Sequence, residues 1–278
     1  MLLGGRVLYR RWFLGPKRLH VREESISVPG LPAALEGFTV VHLSDLHAGP
    51  FLGKGALGTV IERLQALSPD VVCWTGDYVV HGVHNIEPVL PELRKCVGGR
   101  GTFAVFGNHD YKARREPEMA SALAAPPGNH GGRDPNGVGW RFLRNTGRVL
   151  DVDGATVGFA GVEDLEEGKR VDVESAMIGM GECDLCVALT HGHQAAPLFA
   201  RLGAHAVLSG HSHGTQVDLP FLRDFGPSHP GLRVPLGRAV LIVSRGLGVI
   251  GIPLRVGVPA ELVRITFTGR GQARDKVE

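Results

Sequence analysis

The feature that most constrains this chain is a repeated junction, in which a short apolar, β-branched run stops at aspartate, asparagine or histidine. The first is Phe38 to His47, Phe-Thr-Val-Val-His-Leu-Ser-Asp-Leu-His, where Asp45 and His47 stand one residue apart. Residues i and i+2 of an extended segment point the same way, so a carboxylate and an imidazole can converge at a strand's carboxyl end. The pattern returns four times. Val71–Thr75 runs into Gly76-Asp77, and Thr102–Phe106 into Gly107-Asn108-His109-Asp110. Leu185–Leu189 leads to His191, and Ala206–Leu208 to Gly210-His211-Ser212-His213. One Asp-x-His pair is an ordinary solvated loop; five strand-end clusters are not an accident.

Between these strands the periodicity changes. Ala56–Leu67 carries Leu57, Val60, Ile61, Leu64 and Leu67 at helical spacing, and Ile86–Val97 and Ala195–Leu202 are also expected to be helices. Alternating strands and helices predict an α/β fold, in which sites collect at the carboxyl ends of strands. Residues 112–139 break the rhythm. Their second half, Ala125 to Gly137, is rich in Gly, Pro and Asn and reads as a loop. A second Gly-Asn-His at residues 128–130 lacks a preceding strand to aim it and is read as a decoy. Further strands are expected at Phe142–Leu143, Arg148–Val152, Thr156–Ala160, Ala239–Val243 and Leu262–Phe267.

The polar members of the five clusters are Asp, Asn and His, with no thiolate among them. That set suits a hard or borderline divalent metal such as manganese, iron or zinc. Nine candidate ligands, Asp110 included, exceed what one zinc ion takes; two ions sharing a bridging carboxylate fit the number better. Cys73, Cys96, Cys183 and Cys186 are too few for a disulfide framework in 278 residues. Cys183-x-x-Cys186 has no second pair, so all four are expected to be reduced thiols.

Taken together, Asp45-Leu46-His47, Gly76-Asp77, Gly107-Asn108-His109-Asp110, His191 and Gly210-His211-Ser212-His213 resemble the full motif set of the calcineurin-like metallophosphoesterases. The resemblance covers about residues 38–268. It implies a four-layer αββα sandwich with a dinuclear centre. Asp45, His47 and His213 would hold one ion, Asn108, His191 and His211 the other, and Asp77 both. It also implies His109 as catalytic acid, oriented by Asp110, and hydrolysis by attack of a metal-bridging hydroxide, with Asn108 also contacting substrate. Leu43–Phe51 and the tail Val243–Arg255 resemble a bacterial, membrane-associated subgroup. Its members include phosphodiesterases and enzymes that cleave the pyrophosphate of UDP-2,3-diacylglucosamine in lipid A synthesis. That implies a lipid-linked nucleotide as substrate; among the metals that the donor set suits, manganese is the first choice. Where the subgroup has Gly-His-x-His-Gly-Gly-Gln, this chain has Thr215 in place of the second Gly. Arg245, with a planar donor fork suited to a phosphate oxygen, and His193 are expected substrate contacts. The apolar run Leu247–Leu254 reads as an acyl-chain groove, core or a hairpin. The alternatives are a general small-molecule or cyclic-nucleotide phosphodiesterase and a non-catalytic metal-binding module; the presence of Asp77, His109 and Asp110 disfavours the second.

Charge bears on partners and location. Residues 1–22 hold Arg6, Arg10, Arg11, Lys17, Arg18 and Arg22 and no acid, a formal +6 against +2 for the whole chain, which leaves the remainder at −4. A mildly acidic body argues against nucleic acid as a partner. Residues 1–30 are therefore read as a basic, amphipathic N-terminal arm, and 31–278 as the catalytic domain. Tyr9-Arg10-Arg11-Trp12-Phe13-Leu14 resembles a twin-arginine signal, but Gly15, Pro16, Lys17, Arg18 and His20 replace the uncharged apolar core that export needs. The expected location is the cytoplasm, with peripheral contact at the inner membrane through residues 1–22.

Overall fold

The computed structural model describes residues 14–15, 17–80, 86–114, 116–124, 139–168, 170–216, 231–251 and 254–269. They build two mixed six-stranded sheets. The strands are β1 (His20–Ser27), β2 (Thr39–Leu43), β3 (Val71–Thr75), β4 (Thr102–Val105), β5 (Trp140–Phe142), β6 (Thr146–Val152), β7 (Ala155–Gly161), β8 (Leu185–Leu189), β9 (Ala206–Ser209), β10 (Arg233–Leu236), β11 (Ala239–Val243) and β12 (Glu261–Thr268). The first sheet runs β1-β12-β2-β3-β4-β5 and the second β10-β11-β9-β8-β7-β6. β2 to β5 are mutually parallel, as are β7, β8, β9 and β11.

The inner strands are buried on both faces, which is why they read as continuous apolar runs. Alternation sorts their side chains. Val40, Val71, Cys73, Phe103 and Val105 face the second sheet and pack on Val157, Phe159, Leu185, Val187, Leu208 and Ile242. Phe103 and Phe159 stack at 4.1 Å between ring centres across this inner core. On the opposite face, Val41, Leu43, Val72, Trp74 and Ala104 pack against α1 (Gly58–Leu67) and α2 (Leu90–Leu93) through Val60, Leu64 and Leu93. α3 (Asn108–Ala113) follows β4, and α4 (Glu116–Ala124) adds Met119 and Leu123 to that layer. Beyond the second sheet, Cys186, Ala188, Val207 and Leu241 meet α5 (Val173–Ala176) and α6 (Ala196–Arg201). Three apolar cores between four layers make the αββα sandwich.

Several elements depart from the sequence reading. The 86–97 helix shrinks to α2, because Pro88 and Pro91 remove two backbone donors within one stretch. α4 occupies part of 112–139 that carried no expected element, while Gly128-Asn129-His130 lies outside the described residues. β1 forms inside the 1–30 segment read as an arm: its eight residues pair with β12 in parallel register, His20 opposite Glu261 to Ser27 opposite Thr268. Leu14, Leu19, Ile26 and Val28 are buried with it. The four cysteines are free thiols, and burial pushes Cys96 and Cys186 up to about 12. Among the described residues no helix is long and apolar enough to cross a membrane.

Candidate metal centre

Every junction picked out above lies at the carboxyl end of a parallel strand, and the two sheets bring these ends together. β2, β3 and β4 deliver Asp45, His47, Asp77, Asn108 and His109; β8 and β9 deliver His191, His211 and His213. Three groups of donor atoms converge: Asp45–His47–His213, His47–Asp77–His109 and Asp45–Asp77–His191. Asp77 Oδ2 lies 3.5 Å from His47 Nε2 and 3.2 Å from His191 Nε2, so one carboxylate is reached from both sheets. His47 Nε2 and His213 Nε2 face each other at 2.9 Å, and His213 Nε2 is 3.5 Å from Asp45 Oδ1. His211 Nδ1 is 3.2 Å from His191 Nε2.

The local backbone explains the aim of these side chains. Asp45, His47, Asp77, His211 and His213 all have φ between +48° and +68°. The left-handed region is uncommon for residues with a Cβ and persists only where surrounding structure enforces it. The enforcement is visible. Asp45 N donates to Gly76 O and His47 N to Asp77 O, which ties the two loops together. Asp110, wholly buried, accepts the backbone N–H groups of Asp77, Tyr78, Val79 and Gly107 at 2.9–3.3 Å. The carboxylate expected to orient the His109 ring thus clamps the loop that carries Asp77. The His109 backbone N–H in turn donates to Asp77 Oδ1 at 2.9 Å. A Cβ on Gly107 would fall on the Asp77 carboxylate, and one on Gly246, at φ +74°, would lie 2.7 Å from Asp45 Cβ. Glycine is needed at both.

The electrostatics couple the buried carboxylates to the imidazoles around them. Burial holds His47 down at about 4 and His213 well below its ordinary value, so both present neutral nitrogens. Burial raises Asp45. It opposes ionisation of Asp77 as well, but the histidines around it, His191 foremost, outweigh it and hold Asp77 ionised. His191 is likewise disfavoured as a cation by burial, yet Asp77 and Asp45 lift it well above its usual range. Two buried carboxylates crowded with imidazole nitrogens, and no thiolate, form an O/N donor set that suits manganese, iron or zinc.

A cavity of about 310 Å³ opens over these groups, lined by Asp77, Asn108, His109, His211, Ser212, His213, Thr215, Gln216 and Ile250. His193 and Arg245 are not in its lining among the described residues. His193 sits in the turn behind His191 with Nδ1 buried and unpartnered. Arg245 is engaged elsewhere, its backbone N–H and Nη1 both meeting the wholly buried Glu261 at 3.0 and 3.2 Å. The 247–254 run divides: Leu247 and Val249 are core, while Ile250 and Leu254 are 40% and 45% exposed. Gln216 pins Ile250 by a reciprocal pair of hydrogen bonds at 3.0 and 3.2 Å. Ile250, within the Leu247–Leu254 run offered as a groove, does line the cavity; sequence reasoning missed Gln216 and Glu166. Glu166 approaches the cavity with Oε2 2.9 Å from Asn108 Nδ2 and Oε1 3.3 Å from His211 Nε2. It follows β7 as the other clusters follow their strands, and that position was the signal available.

The chain is similar to several proteins named as metallophosphoesterases. A Bacillus subtilis protein described as the uncharacterized metallophosphoesterase YkuE is 27% identical over 272 residues, covering 95% of this chain and 90% of its own length. An uncharacterized metallophosphoesterase of Aquifex aeolicus is 27% identical, over 91% of this chain and 93% of its own. A Danio rerio transmembrane protein with metallophosphoesterase domain is 29% identical over 89% of this chain, which spans only 57% of that longer protein. Residues 38–215, a span containing all five junctions, match the family model of the calcineurin-like phosphoesterases, and the chain belongs to that family.

Proposed function

We propose that the chain hydrolyses a phosphodiester or pyrophosphate bond at a centre of two divalent cations, with manganese the first choice of metal. The observation that carries this is the position of Asp77, whose single carboxylate is approached by His47 from one sheet and His191 from the other. When bound, the cations would supply Lewis-acid polarisation of the phosphoryl oxygens and an activated water. Asp45, His47 and His213 would hold one ion, Asn108, His191 and His211 the other, and Asp77 both. His109 is half-buried on the cavity wall and is the group that would give a proton to the leaving oxygen. Its backbone bond to Asp77 keeps the proton donor in fixed relation to the centre.

The substrate we favour is a lipid-linked nucleotide, UDP-2,3-diacylglucosamine. Support comes from the subgroup resemblance of Leu43–Phe51 and Val243–Arg255 and from the exposed apolar side chain of Ile250 on the cavity wall. Peripheral membrane contact belongs to the same reading. It would rest on Arg6, Arg10 and Arg11, outside the described residues, and on the exposed Lys17 and Arg18. Arg22 contributes less, being paired with Glu24 and Glu261.

The test is hydrolysis of UDP-2,3-diacylglucosamine and of bis-p-nitrophenyl phosphate with manganese and with chelator. Wild-type turnover should need manganese. Asp77→Asn should lose it at least about 10³-fold. His109→Ala should lose roughly 10²–10⁴-fold while retaining its metal. Loss of metal from His109→Ala would instead make His109 a ligand, and turnover of the generic ester alone would remove the lipid substrate.

A further inference from the structure

The two halves of the centre differ in how their ligands are aimed. His47 Nδ1 and His213 Nδ1, the far nitrogens of the first ion's imidazoles, are buried without a hydrogen-bond partner. The second ion's three private ligands are each gripped from behind. His191 Nδ1 meets Thr75 O at 2.6 Å. His211 turns Nδ1 toward His191 and Nε2 toward Glu166 Oε1, at 3.3 Å. Asn108 gives its Nδ2–H to Glu166 Oε2 at 2.9 Å, which leaves its Oδ1 buried and unpartnered.

Resting on the dinuclear reading above, we propose that Glu166 is a positioning residue for the second ion alone. One carboxylate fixes two choices at once. By accepting from the amide NH₂ it points the oxygen of Asn108, the only end able to ligate, into the centre. With Oε1 3.3 Å from His211 Nε2, its negative charge favours the proton on that nitrogen and so the tautomer whose Nδ1 carries the lone pair. Glu166 is half-exposed, so its worth lies in direction more than in ion-pair energy. Its own place is well determined. Asp164, almost wholly buried, accepts the backbone N–H groups of Glu166 and Glu167 at 3.0 and 2.8 Å. Glu163 is held by Arg144 at 2.7 Å, and Glu167 lies 3.4 Å from Lys112 on α3, the helix that carries Asn108.

The experiment is calorimetric titration of manganese into the metal-free full chain, comparing wild type with Glu166→Ala and Glu166→Gln, each first checked for native thermal unfolding. Wild type should take up two ions. In Glu166→Ala one binding event should weaken by about 10–100-fold and the other stay unchanged. Glu166→Gln, which keeps one acceptor oxygen, should fall between. Two unchanged events in Glu166→Ala, or two events weakened equally, would overturn the assignment while leaving the dinuclear centre standing. A wild-type chain that takes up a single ion would overturn the dinuclear reading itself, and the assignment with it.

Discussion

Thr215 has φ +67° in the turn after His213, where the resembled subgroup carries glycine. A β-branched residue in that region is strained by roughly 1–3 kcal/mol. Thr215→Gly should relieve more of this than it adds in unfolded-chain entropy. We expect about 1 kcal/mol of added stability, or roughly 2 °C in thermal midpoint, checked by thermal unfolding. An unchanged or lower midpoint would mean that the Thr215 Oγ1 bond to Gly214 O already compensates the strain. His42 gives a second prediction. It is wholly buried within β2, its Nε2 2.8 Å from Thr75 Oγ1, and burial holds its pKa at about 3 against an ordinary 6.5. Above pH 6.5 both folded and unfolded chains carry it neutral, and its contribution is full. Between 6.5 and 3 the unfolded chain takes a proton that the folded one refuses, so stability falls with pH. Near pH 5 the loss from this residue is about 2 kcal/mol. Urea unfolding at pH 7.5 and pH 5 should show a slope smaller by that amount in His42→Gln than in wild type; equal slopes would mean that His42 does not stay neutral. The ligand types and their strand-end placement were legible in the sequence, because a β-branched run stopping at Asp or His is a local pattern. The left-handed backbone of five of them was not, since the hydrogen bonds that hold these turns come from loops and a helix distant in sequence.

At the scale of elements, what could be read was whatever is buried on both faces. β2, β3, β4, β8, β9 and β11 announced themselves as apolar runs. β1, with the sequence His-Val-Arg-Glu-Glu-Ser-Ile-Ser, did not, because an edge strand buries little and its charges are satisfied by pairing. Arg22 lies 2.5 Å from Glu24 and 3.2 Å from the wholly buried Glu261, and it donates to Val243 O at 2.7 Å. β10 was missed for the same reason of exposure. Glu166 was missed because Glu163-Asp-Leu-Glu-Glu reads as a solvated acidic turn, and only the tertiary fold shows what its third acid reaches. β1 carries a prediction. Deleting residues 1–28 removes an eight-residue ladder and the buried Ile26 and Val28, and it takes one arginine from Glu261. The loss is on the order of 5–10 kcal/mol, comparable with the whole stability of a domain. The deletion should therefore abolish the cooperative transition seen by circular dichroism, whereas replacing Arg6, Arg10 and Arg11 by Gln should keep it. A folded deletion would make β1 dispensable.

For the whole molecule, the four layers were legible only through resemblance, since pairing between strands distant in sequence leaves no local trace. The centre belongs to neither sheet: Asp45, His47, Asp77 and Asn108 come from one, and His191, His211 and His213 from the other. The strand order of the first sheet has a consequence in time. β12 lies between β1 and β2, parallel to one and antiparallel to the other. During synthesis β1 and β2 emerge early, but the strand that must separate them comes roughly 240 residues after β1, a delay of roughly 10–50 s at ribosomal speed. Until then β1 has no partner in its sheet and one edge of β2 stands open. The nascent chain must keep those edges apart, because pairing them directly would close the sheet one strand too soon and shut β12 out.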